Sequence, residues 1–465
     1  MKPKRDRPQL VPPSDGDQLR SVPFWLIKGE KLKMKKVAFC TLGCKVNQYE
    51  TNAMEEAFVK NGYEIVNIEE IADIYVINTC TVTNMSDKKS RQMIRKAKQL
   101  NKNSIVVAIG CYAQVSKDKL LEIEEVDLIL GNNEKKEIVK YVEEFKKEKI
   151  LHLEDVLHQK EFIDFGTTIN VEKTRAVIKV QDGCDRFCSY CIIPYARGRV
   201  RSRNLESVVK EVQALAKNGV KEVVLTGIHI ASYGKDFKED IKLINLLEEI
   251  NQIEGIERIR LGSLEPTIID EEFLKRLSKL NKICHHFHLS LQSGCNETLK
   301  RMNRRYTIEE FEKVTQLLRD TYDDVILTTD IIVGFPGETD EEFNKTYEFL
   351  KQICFYKMHI FKYSRRKGTK ADLMENQILP NVQEERSKKL IELSNKNQEK
   401  YNREYAGRVV EVLFEEQDGE YIKGHTENYL LVKIKESNIQ KYHNSIEKIK
   451  ILEINNEELI GERVI

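Results

Sequence analysis

The feature that most constrains this chain is a set of three apolar, β-branched runs that each end on a cysteine. The runs read VAFCTLGC, IYVINTC and SIVVAIGC, and they end on Cys44, Cys80 and Cys111. Stretches of helical periodicity separate them, and alternating strands and helices predict a doubly wound parallel sheet. The cysteine spacings of 36 and 31 residues fit one βαβ unit each. Parallel strands bring their carboxyl ends to one sheet edge, so the three thiols are predicted to meet at a metal cluster.

Each of these cysteines has an alternative interpretation as a buried residue that packs like a small hydrophobic side chain. For one cysteine that interpretation would be preferred, but three thiols in phase with three strands favour the cluster. Cys40 lies in the middle of the first run and is predicted to pack in the core. Three further cysteines show no ligand pattern and are left as core residues: Cys284, Cys295 and Cys354.

A second cysteine pattern, CxxxCxxC, lies in the segment QDGCDRFCSYC and comprises Cys184, Cys188 and Cys191. A closed zinc site normally has four ligands, and no further cysteine or histidine lies nearby. Three ligands suit a 4Fe-4S cluster that leaves one iron open to a substrate or cofactor; zinc and electron-transfer sites are the alternatives. The spacing, with Tyr190 before the last cysteine, resembles the radical S-adenosylmethionine (SAM) signature. That resemblance implies that the open iron binds SAM and that reductive cleavage yields a 5′-deoxyadenosyl radical.

The segment after this motif alternates strand-like and helix-like runs, which fits a partial β/α barrel. Its strand-like runs are EVVLTGIHI, IERIRLGSLEP, HHFHLSLQSG and VILTTDIIVGFPGET. Active residues of such barrels gather at the carboxyl ends of the strands. The residues there that are candidates to contact cofactor or substrate, beside Tyr190, are Gly227, His229, Ser263, Glu265, Ser290, Gln292 and Asp330. His288 and Asp330 have a structural alternative as satisfied polar side chains, and Gly227 has one as a turn residue.

The last part of the chain shows short alternating strands from about Tyr405, which predict a small antiparallel β-barrel. Its position resembles that of a TRAM domain, an RNA-binding module, although residues 404–465 hold 8 Lys+Arg against 13 Asp+Glu. Three runs mix basic and aromatic residues, as sites for single-stranded nucleic acid do. They are YARGRVRSR, KRMNRRY and FKYSRRKG, and each has the alternative of a solvated surface.

Together, these three regions resemble the methylthiotransferase family from Lys35 to the end of the chain. Four segments are most similar to the branch that modifies N6-threonylcarbamoyladenosine beside the tRNA anticodon: TLGCKVNQYE, NTCTVTNMSDKKSRQ, QDGCDRFCSYCIIPYARGRVRSR and LQSGCNETLKRMNRRY. The trio Lys45, Val46 and Asn47 differs from the trios typical of the branches that act on isopentenyladenosine or on a ribosomal protein.

The resemblance implies methylthiolation at C2 of the adenine, with two 4Fe-4S clusters and SAM as cofactors. The CxxxCxxC cysteines would hold the cluster that cleaves SAM, and the strand-end cysteines an auxiliary cluster that carries or delivers sulfur. A second SAM would supply the methyl group, and both trios are expected to face one cavity. An electron donor and a sulfur donor would be further partners. The residues expected to contact the tRNA anticodon loop are Arg197, Arg199, Arg201 and Arg203.

Composition adds limits on the kind of protein. The chain has 465 residues, ten cysteines and a formal net charge of +1. Ten cysteines are too few for a disulfide scaffold, and without a recognisable signal peptide they favour metal chemistry in a reducing, cytoplasmic compartment. No apolar run approaches the ~18 residues of a membrane helix, so no membrane partner is expected.

The predicted division of the chain has five parts. Residues 1–33 are a disordered extension, 34–151 the N-terminal domain, 152–173 a linker, 174–403 the radical SAM barrel and 404–465 the TRAM-like barrel. Two alternatives for function stay open. One is methylthiolation of another substrate, either isopentenyladenosine in tRNA or a ribosomal-protein side chain. The other is a non-catalytic iron–sulfur or zinc protein that binds RNA.

Overall fold

The computed structural model of the protein describes residues 34–167, 174–436, 438, 440, 442–455 and 458–464. The predicted extension, residues 1–33, lies outside the described residues, as does part of the predicted linker. The domain boundaries given above stay predictions.

The N-terminal part is a parallel sheet with helices on both faces. Its strands are β1 Lys36–Thr41, β2 Glu64–Val66, β3 Ile74–Thr79, β4 Ile105–Gly110, β5 Leu128–Leu130 and β6 Ile150–His152. Its helices are α1 Lys45–Lys60, α2 Asn84–Leu100, α3 Cys111–Val115, α4 Lys117–Leu121 and α5 Ile138–Glu143. The strand order is β2-β1-β3-β4-β5-β6, with every pair parallel. Each residue of β3 is buried, because separate apolar clusters cover the two faces of the sheet, as expected for a parallel sheet. The prediction of a doubly wound sheet is confirmed.

The central part is a β/α barrel. Its strands are β7 Arg175–Lys179, β8 Gln181–Asp182, β9 Arg201–Ser202, β10 Glu222–Thr226, β11 Arg258–Leu261, β12 His286–Gln292, β13 Ile326–Val333 and β14 Lys357–Lys362. Its helices are α6 Ile193–Arg197, α7 Leu205–Lys217, α8 Leu243–Asn251, α9 Glu271–Leu277, α10 Asn296–Arg301, α11 Ile308–Thr321, α12 Asp340–Ile353 and α13 Pro380–Arg403. Six parallel strands follow one another in chain order, β7-β10-β11 and β12-β13-β14, joined by a bridge between Leu264 and Leu289. Within the described residues β14 does not pair with β7, so the barrel is partial, as predicted.

The C-terminal part is a closed five-stranded barrel. Its strands are β15 Val409–Asp418, β16 Tyr421–Thr426, β17 Leu431–Lys435, β18 Ile446–Asn455 and β19 Glu458–Arg463. The ring order is β15-β16-β17-β19-β18. The expectation of an antiparallel barrel needs one correction, because β17 and β19 are parallel. Strand directions cannot alternate completely around a ring with an odd number of strands, so at least one pair must be parallel.

The N-terminal sheet lies across the open side of the β/α barrel. Helix α1 contacts β7 at one edge of the opening. At the other edge, Arg366 follows β14 and pairs with Asp87 of α2 at 2.8 Å. The sheet therefore closes the gap that the six strands leave.

The C-terminal barrel packs against the amino-terminal ends of the β/α strands. Arg258, the first residue of β11, donates hydrogen bonds to the carbonyl oxygens of His425 and Glu411 at 3.0 and 3.1 Å. Arg175, the first residue of β7, pairs with Glu415 at 2.6 Å. None of the helices in the described ranges is both long and apolar enough to cross a membrane.

Candidate functional site

The structure brings the three strand-end cysteines to the same edge of the N-terminal sheet. Cys44 precedes α1, Cys80 follows β3, and Cys111 follows β4 as the first residue of α3. Cys44 is exposed, whereas Cys80 and Cys111 are each 4% exposed. Burial raises the pKa of the Cys80 thiol, and the nearby Cys111 and Cys44 sulfurs raise it further. The predicted convergence of the three thiols is therefore present.

A buried network of charges lies beside Cys111. Arg197 donates from Nε to the Cys111 sulfur at 3.3 Å and from Nη1 to Glu50 Oε1 at 2.8 Å. The network has four cations and two carboxylates, all at most 4% exposed: Lys135, Lys179, Arg197, Arg201, Glu50 and Asp182. Four positive and two negative charges leave an excess of two positive charges away from solvent. Unpaired buried charge is costly, so this site fits an anionic group carried on the cysteines.

The carboxylates of this network are held in their charged form. Burial alone would raise the pKa of Glu50, but Arg197, Lys135 and Lys179 hold it well below its usual range. The pKa of Asp182 is lowered as well, because the positive charges of Lys179 and Arg197 outweigh the effect of burial, which would raise it. Burial lowers the pKa of Lys135, whereas Cys111, Glu50 and Asp182 raise the pKa of Arg197 well above its usual range. Arg197 therefore stays charged beside Cys111, which suits the three thiolates and the iron–sulfur core of a cluster.

The second cysteine trio lies on a loop that begins at the carboxyl side of β7 and β8 and ends at α6. β8 and β9 pair across the base of the loop, and the Cys184 N–H donates to the Gly198 carbonyl at 3.0 Å. Two donors point at sulfur: Arg304 Nη1 at 3.2 Å from Cys188, and the Arg186 N–H at 3.5 Å from Cys184. Such hydrogen bonds are typical of iron–sulfur ligands.

Burial, supported by the neighbouring thiols, raises the pKa of Cys184 to about 11 and of Cys191 to about 12. At neutral pH these thiols keep their protons unless a metal replaces them, so binding of iron would release protons. Within the described residues, no three His, Cys, Asp or Glu side chains are close enough to hold one metal ion. A four-iron cluster has a different requirement, because it takes one thiolate at each of several irons.

Three of the other candidates lie around this loop: Tyr190, Glu265 and His229. Tyr190 packs edge-on against Phe335, with ring centroids 6.4 Å apart. Glu265 pairs with Arg186, with Arg304 at 3.4 Å and with His229 at 3.2 Å. Gln292 ends β12 with a φ of +74°, a conformation that non-glycine residues adopt mainly at functional or strained sites. Glu265 and His229 therefore connect, through Arg304, to the sulfur of Cys188.

The two cysteine trios are close to each other. Cys191 and Arg197 are six residues apart in the chain, and most of that stretch is helix α6, so their Cα atoms lie within about 15 Å. Since Arg197 contacts the Cys111 sulfur, the two trios lie within about 25 Å of each other.

A cavity of about 630 Å³ lies between all three parts of the molecule. The N-terminal part contributes Cys44 and Lys45, and the C-terminal barrel contributes His425 and Tyr429. The residues of the β/α barrel that line it include three of the sequence-based candidates: Gly227, Ser263 and Asp330. One thiol of the strand-end trio therefore opens into the interior of the barrel.

Comparison with known proteins identifies the family. A family model described as "Radical SAM superfamily" matches residues 178–350, and one described as "Uncharacterized protein family UPF0004" matches residues 36–131. The threonylcarbamoyladenosine tRNA methylthiotransferase MtaB of Bacillus subtilis is 42% identical over 90% of this chain and 94% of that protein. The protein of the same name from Aquifex aeolicus is 45% identical over 86% of this chain and 96% of that one. The chain belongs to the radical SAM methylthiotransferase family.

Other relatives are more distant. A tRNA-2-methylthio-N(6)-dimethylallyladenosine synthase of Clostridium perfringens is 35% identical to this methylthiotransferase over 93% of this chain and 98% of that protein. Among solved structures, the radical S-adenosylmethionine methyltransferase TsrM from Kitasatospora setae superposes with TM-scores of 0.52 and 0.53 in two ligand states. These superpositions cover 70% and 73% of this chain, and 73% and 77% of TsrM, at 16% and 17% identity. The likeness to TsrM shows the fold alone.

Family membership confirms the predicted cofactors: the methylthiotransferase uses SAM and two 4Fe-4S clusters. The donor sets described above fit both clusters. Which cysteines hold each cluster stays a prediction, with Cys184, Cys188 and Cys191 for the SAM cluster. The predicted ligands of the auxiliary cluster are Cys44, Cys80 and Cys111.

Alternate residues on three strands of the methylthiotransferase barrel make its interior polar. His286 Nε2 and His288 Nδ1 both lie within hydrogen-bond distance of Thr328 Oγ1, at 3.1 and 2.9 Å. His288 Nε2 pairs with Asp330 at 3.1 Å. The two residues are thus satisfied polar side chains, as the structural alternative proposed, and both also line the cavity. Burial lowers the pKa of His286 well below its usual range, and the positive charge of Arg260 lowers it further. His286 is therefore a neutral imidazole, able to donate and accept hydrogen bonds.

Sequence reasoning missed most of this polar interior. His286 and His359 were not among the candidates, although the strand HFHLSLQ has polar residues at alternate positions. That two-residue period places those side chains on one face of the strand. In a barrel, one face of each strand points inward, so the alternation was the available signal.

Tyr429 was also missed, and it lines the cavity. Its ring stacks against two imidazoles, at centroid distances of 4.9 Å from His286 and 4.6 Å from His425. The guanidinium carbons of Arg260 and Arg175 lie 4.7 and 5.3 Å from the same ring, within the range of cation–π attraction. The C-terminal barrel therefore contributes directly to the site.

Three of the four arginines predicted to contact tRNA are in the interior, and for them the prediction is wrong. Arg197, Arg201 and Arg203 are each at most 1% exposed. Their guanidinium groups pair with buried carboxylates; Arg203, for example, pairs with Glu211. A phosphate would have to displace these pairs. Only Arg199 is on the surface, with 56% of its side chain exposed.

Proposed function

We propose that this methylthiotransferase converts N6-threonylcarbamoyladenosine beside the tRNA anticodon to its 2-methylthio derivative. The observation that carries the proposal is the identity of 42% and 45%, over most of the chain, to two proteins named for that reaction. The cofactors supply a radical that removes the hydrogen from C2, the sulfur that replaces it, and a methyl group for that sulfur.

The cavity is the candidate location of this chemistry. Of the two cysteine trios that were expected to face one cavity, only Cys44 is in its lining. An unactivated aromatic C–H bond needs a radical, and the protein then has to position the base and exclude water. The cavity is bounded by the sheet, the β/α barrel and the C-terminal barrel. Nucleotides of an anticodon loop are single-stranded, so bringing one base into such a cavity has a reduced unstacking cost.

The surface beside the CxxxCxxC loop is the candidate contact with tRNA. Arg199 lies over the ring of Phe187, with its guanidinium carbon 4.7 Å from the ring centroid. Phe187 in turn meets Tyr195, which is 41% exposed, edge to face at 5.8 Å. Phe187 is half-buried and Tyr195 is exposed, and a cation beside aromatic rings at a surface suits single-stranded RNA. We retain Arg199 as a tRNA contact on this ground.

The proposal includes an electron donor and a sulfur donor as partners, because the reaction consumes electrons and sulfur. It places the enzyme in the cytoplasm, where thiols stay reduced and tRNA is present.

The test is nucleoside analysis of tRNA after anaerobic reaction with the reconstituted enzyme, SAM, a reductant and a sulfide source. We expect the 2-methylthio derivative of threonylcarbamoyladenosine with the wild type. The variant in which Cys184, Cys188 and Cys191 are alanine should give none. A product only from dimethylallyladenosine-containing tRNA would assign the enzyme to the other branch, and no modified nucleoside in either tRNA would contradict both assignments.

A further inference from the structure

One cation of the cavity wall lacks a counter-charge. Lys45 is the first residue of α1, directly after Cys44, and its side chain lines the cavity. Among the described residues its ammonium makes neither a hydrogen bond nor an ion pair of 4 Å or less, and its side chain is exposed. The solvent that it faces is therefore the solvent of the cavity.

Two other charged groups in the wall are already paired. Arg260 Nε donates to Glu222 at 2.6 Å, and its Nη1 donates to the Glu427 carbonyl at 2.9 Å. Asp330, the acidic residue of the wall, pairs with His288 at 3.1 Å. Lys45 therefore adds a positive charge that the protein itself does not neutralise.

The surroundings of Lys45 favour an anion. The guanidinium carbons of Arg260, which also lines the cavity, and of Arg175 lie 4.7 and 5.3 Å from the ring of Tyr429 in the same wall. An anion in the cavity would pair with the Lys45 ammonium, since a nearby opposite charge stabilises the charged form. The N-terminal end of the 16-residue helix α1 adds partial positive charge at the same place.

We propose that Lys45 binds the carboxylate of the threonylcarbamoyl group and so selects this adenosine over those with an uncharged alkyl substituent. The inference rests on the proposed function, and it names the residue that determines specificity within the same cavity. The threonylcarbamoyl group ends in a carboxylate, whereas the dimethylallyl group is a hydrocarbon. A hydrocarbon beside Lys45 would desolvate the ammonium without pairing it, which is unfavourable.

Lys45 directly follows Cys44 in the chain. A carboxylate bound by the Lys45 ammonium would therefore lie next to a thiol of the strand-end trio. An adenosine held through its N6 substituent would therefore have its ring near the auxiliary cluster predicted at that trio.

The test uses anticodon stem–loops with three forms of the adenosine: the threonylcarbamoyl acid, its neutral methyl ester, and dimethylallyladenosine. The KM and kcat for methylthiolation are measured with wild-type holoenzyme and with Lys45→Met, Lys45→Arg and Lys60→Met. Lys60 is the matched control, because it is at the far end of α1, with a side chain 68% exposed and paired with Glu56. Iron content and Tm are measured for every variant.

We expect wild type to prefer the acid over the ester in KM by roughly 10- to 100-fold, the range for a lost charge-assisted hydrogen bond. Lys45→Met should abolish that preference by raising KM for the acid alone, Lys45→Arg should restore part of it, and Lys60→Met should keep it.

Equal KM values for acid and ester in the wild type would overturn the inference without any variant. So would a Lys45→Met enzyme that still prefers the acid as strongly. Failure of the proposed function looks different, because the wild type would then modify neither threonylcarbamoyl substrate.

Discussion

Arg197 lies in a basic run that predicts a surface contact with tRNA, but it is buried and connects the two regions that contain the cysteine trios. Its guanidinium meets Cys111, Glu50, Asp182 and, at 2.6 Å, the side-chain oxygen of Asn47. These partners come from both the N-terminal sheet and the β/α barrel. One buried side chain therefore holds the two parts together beside the predicted auxiliary cluster.

Replacing Arg197 with methionine should be strongly destabilising. The change removes the buried hydrogen bonds that Glu50, Asp182 and Asn47 accept from Arg197, and removing one partner of a buried ion pair costs about 3–5 kcal/mol. Thermal unfolding of anaerobic protein should show a Tm lower by several degrees.

Arg199→Met is the matched control for that measurement. Arg199 is two residues away, and its pair with Asp185 at 3.3 Å is exposed. Exposed pairs contribute about 0–1 kcal/mol, so this variant should unfold close to the wild type. Equal Tm values for the two variants would contradict the structural role given to Arg197.

Glu265 should make stability depend on pH. Burial raises its pKa, but the hydrogen bond from His229 and the charges of Arg304 and Arg186 lower it from 4.5 to about 2. A carboxyl group with a depressed folded-state pKa stabilises the protein above its unfolded pKa of 4.5, and this contribution is lost as the pH falls towards 2. The shift corresponds to about 3 kcal/mol at neutral pH.

The measurement is the Tm of wild type and Glu265→Gln at several pH values between 7 and 3. The difference between the two proteins should be largest above pH 4.5 and should shrink as the pH falls. Glu257→Gln is the control, since Glu257 forms an exposed pair with Lys221 at 3.5 Å. A difference for Glu265→Gln that does not change with pH would contradict the assignment.

At the scale of elements, the turn between β1 and α1 decides whether the strand-end cysteines can meet. Gly43 lies in this turn with a φ of +100°, and a Cβ atom there would be 2.7 Å from the Cys80 sulfur. Real Cβ atoms do not approach so closely. A glycine directly before Cys44 therefore lets the β1 turn pack onto the cysteine that follows β3.

Gly43→Ala should lose the auxiliary cluster. The added methyl group pushes Cys80 away from its place, so iron content should fall from about eight to about four per chain. Gly368→Ala is the matched control, because Gly368 has a similar φ of +91° but nothing within 4 Å of an added Cβ. Both alanines carry the strain of a left-handed conformation, roughly 1–2 kcal/mol. Loss of iron in both variants would mean that strain, not contact with Cys80, is the cause.

The elements themselves were largely predictable. Each apolar run became a strand, because β-branched residues and two-sided burial suit a parallel sheet, and Cys44, Cys80 and Cys111 followed from the strand ends. The polar interior of the β/α barrel was only partly predicted. His286 and His288 lie on a strand that sequence reasoning identified, but which face points into a cavity depends on how the strands close into a barrel.

At the scale of the whole molecule, three parts surround one cavity. The sheet supplies Cys44 and Lys45, the β/α barrel supplies the polar wall, and the C-terminal barrel supplies Tyr429. The net charge of −5 in residues 404–465 (8 Lys+Arg against 13 Asp+Glu) agrees with this position, because Glu415 pairs with Arg175 of the β/α barrel. Part of the acidic surface of the C-terminal barrel therefore contacts the β/α barrel.

Iron and sulfide quantitation on anaerobic protein tests the two-cluster arrangement as a whole. Wild type should hold about eight irons. Changing Cys44, Cys80 and Cys111 to alanine should leave about four. Changing the CxxxCxxC trio should also leave about four.

Cys40→Ala is the control for that measurement. Cys40 lies in β1 and packs with the apolar cluster on one face of the sheet, so this variant should keep about eight irons. Four irons in the wild type, unaffected by the loss of Cys44, Cys80 and Cys111, would mean that these three thiols hold no cluster.

The sequence by itself determined what depends on neighbours along the chain. Three features are local patterns: the CxxxCxxC loop, the cysteine after each strand, and the alternation of strands and helices. They depend on residues close together in the sequence, so they could be predicted without the tertiary structure. The environment of a charged side chain is different, because it depends on residues far away in sequence. Arg197 meets Glu50 across 147 residues of chain, and Arg260 reaches the Glu427 carbonyl across 167. Only the tertiary structure decided that Arg197 is buried, that Arg199 is exposed and that Lys45 faces the shared cavity.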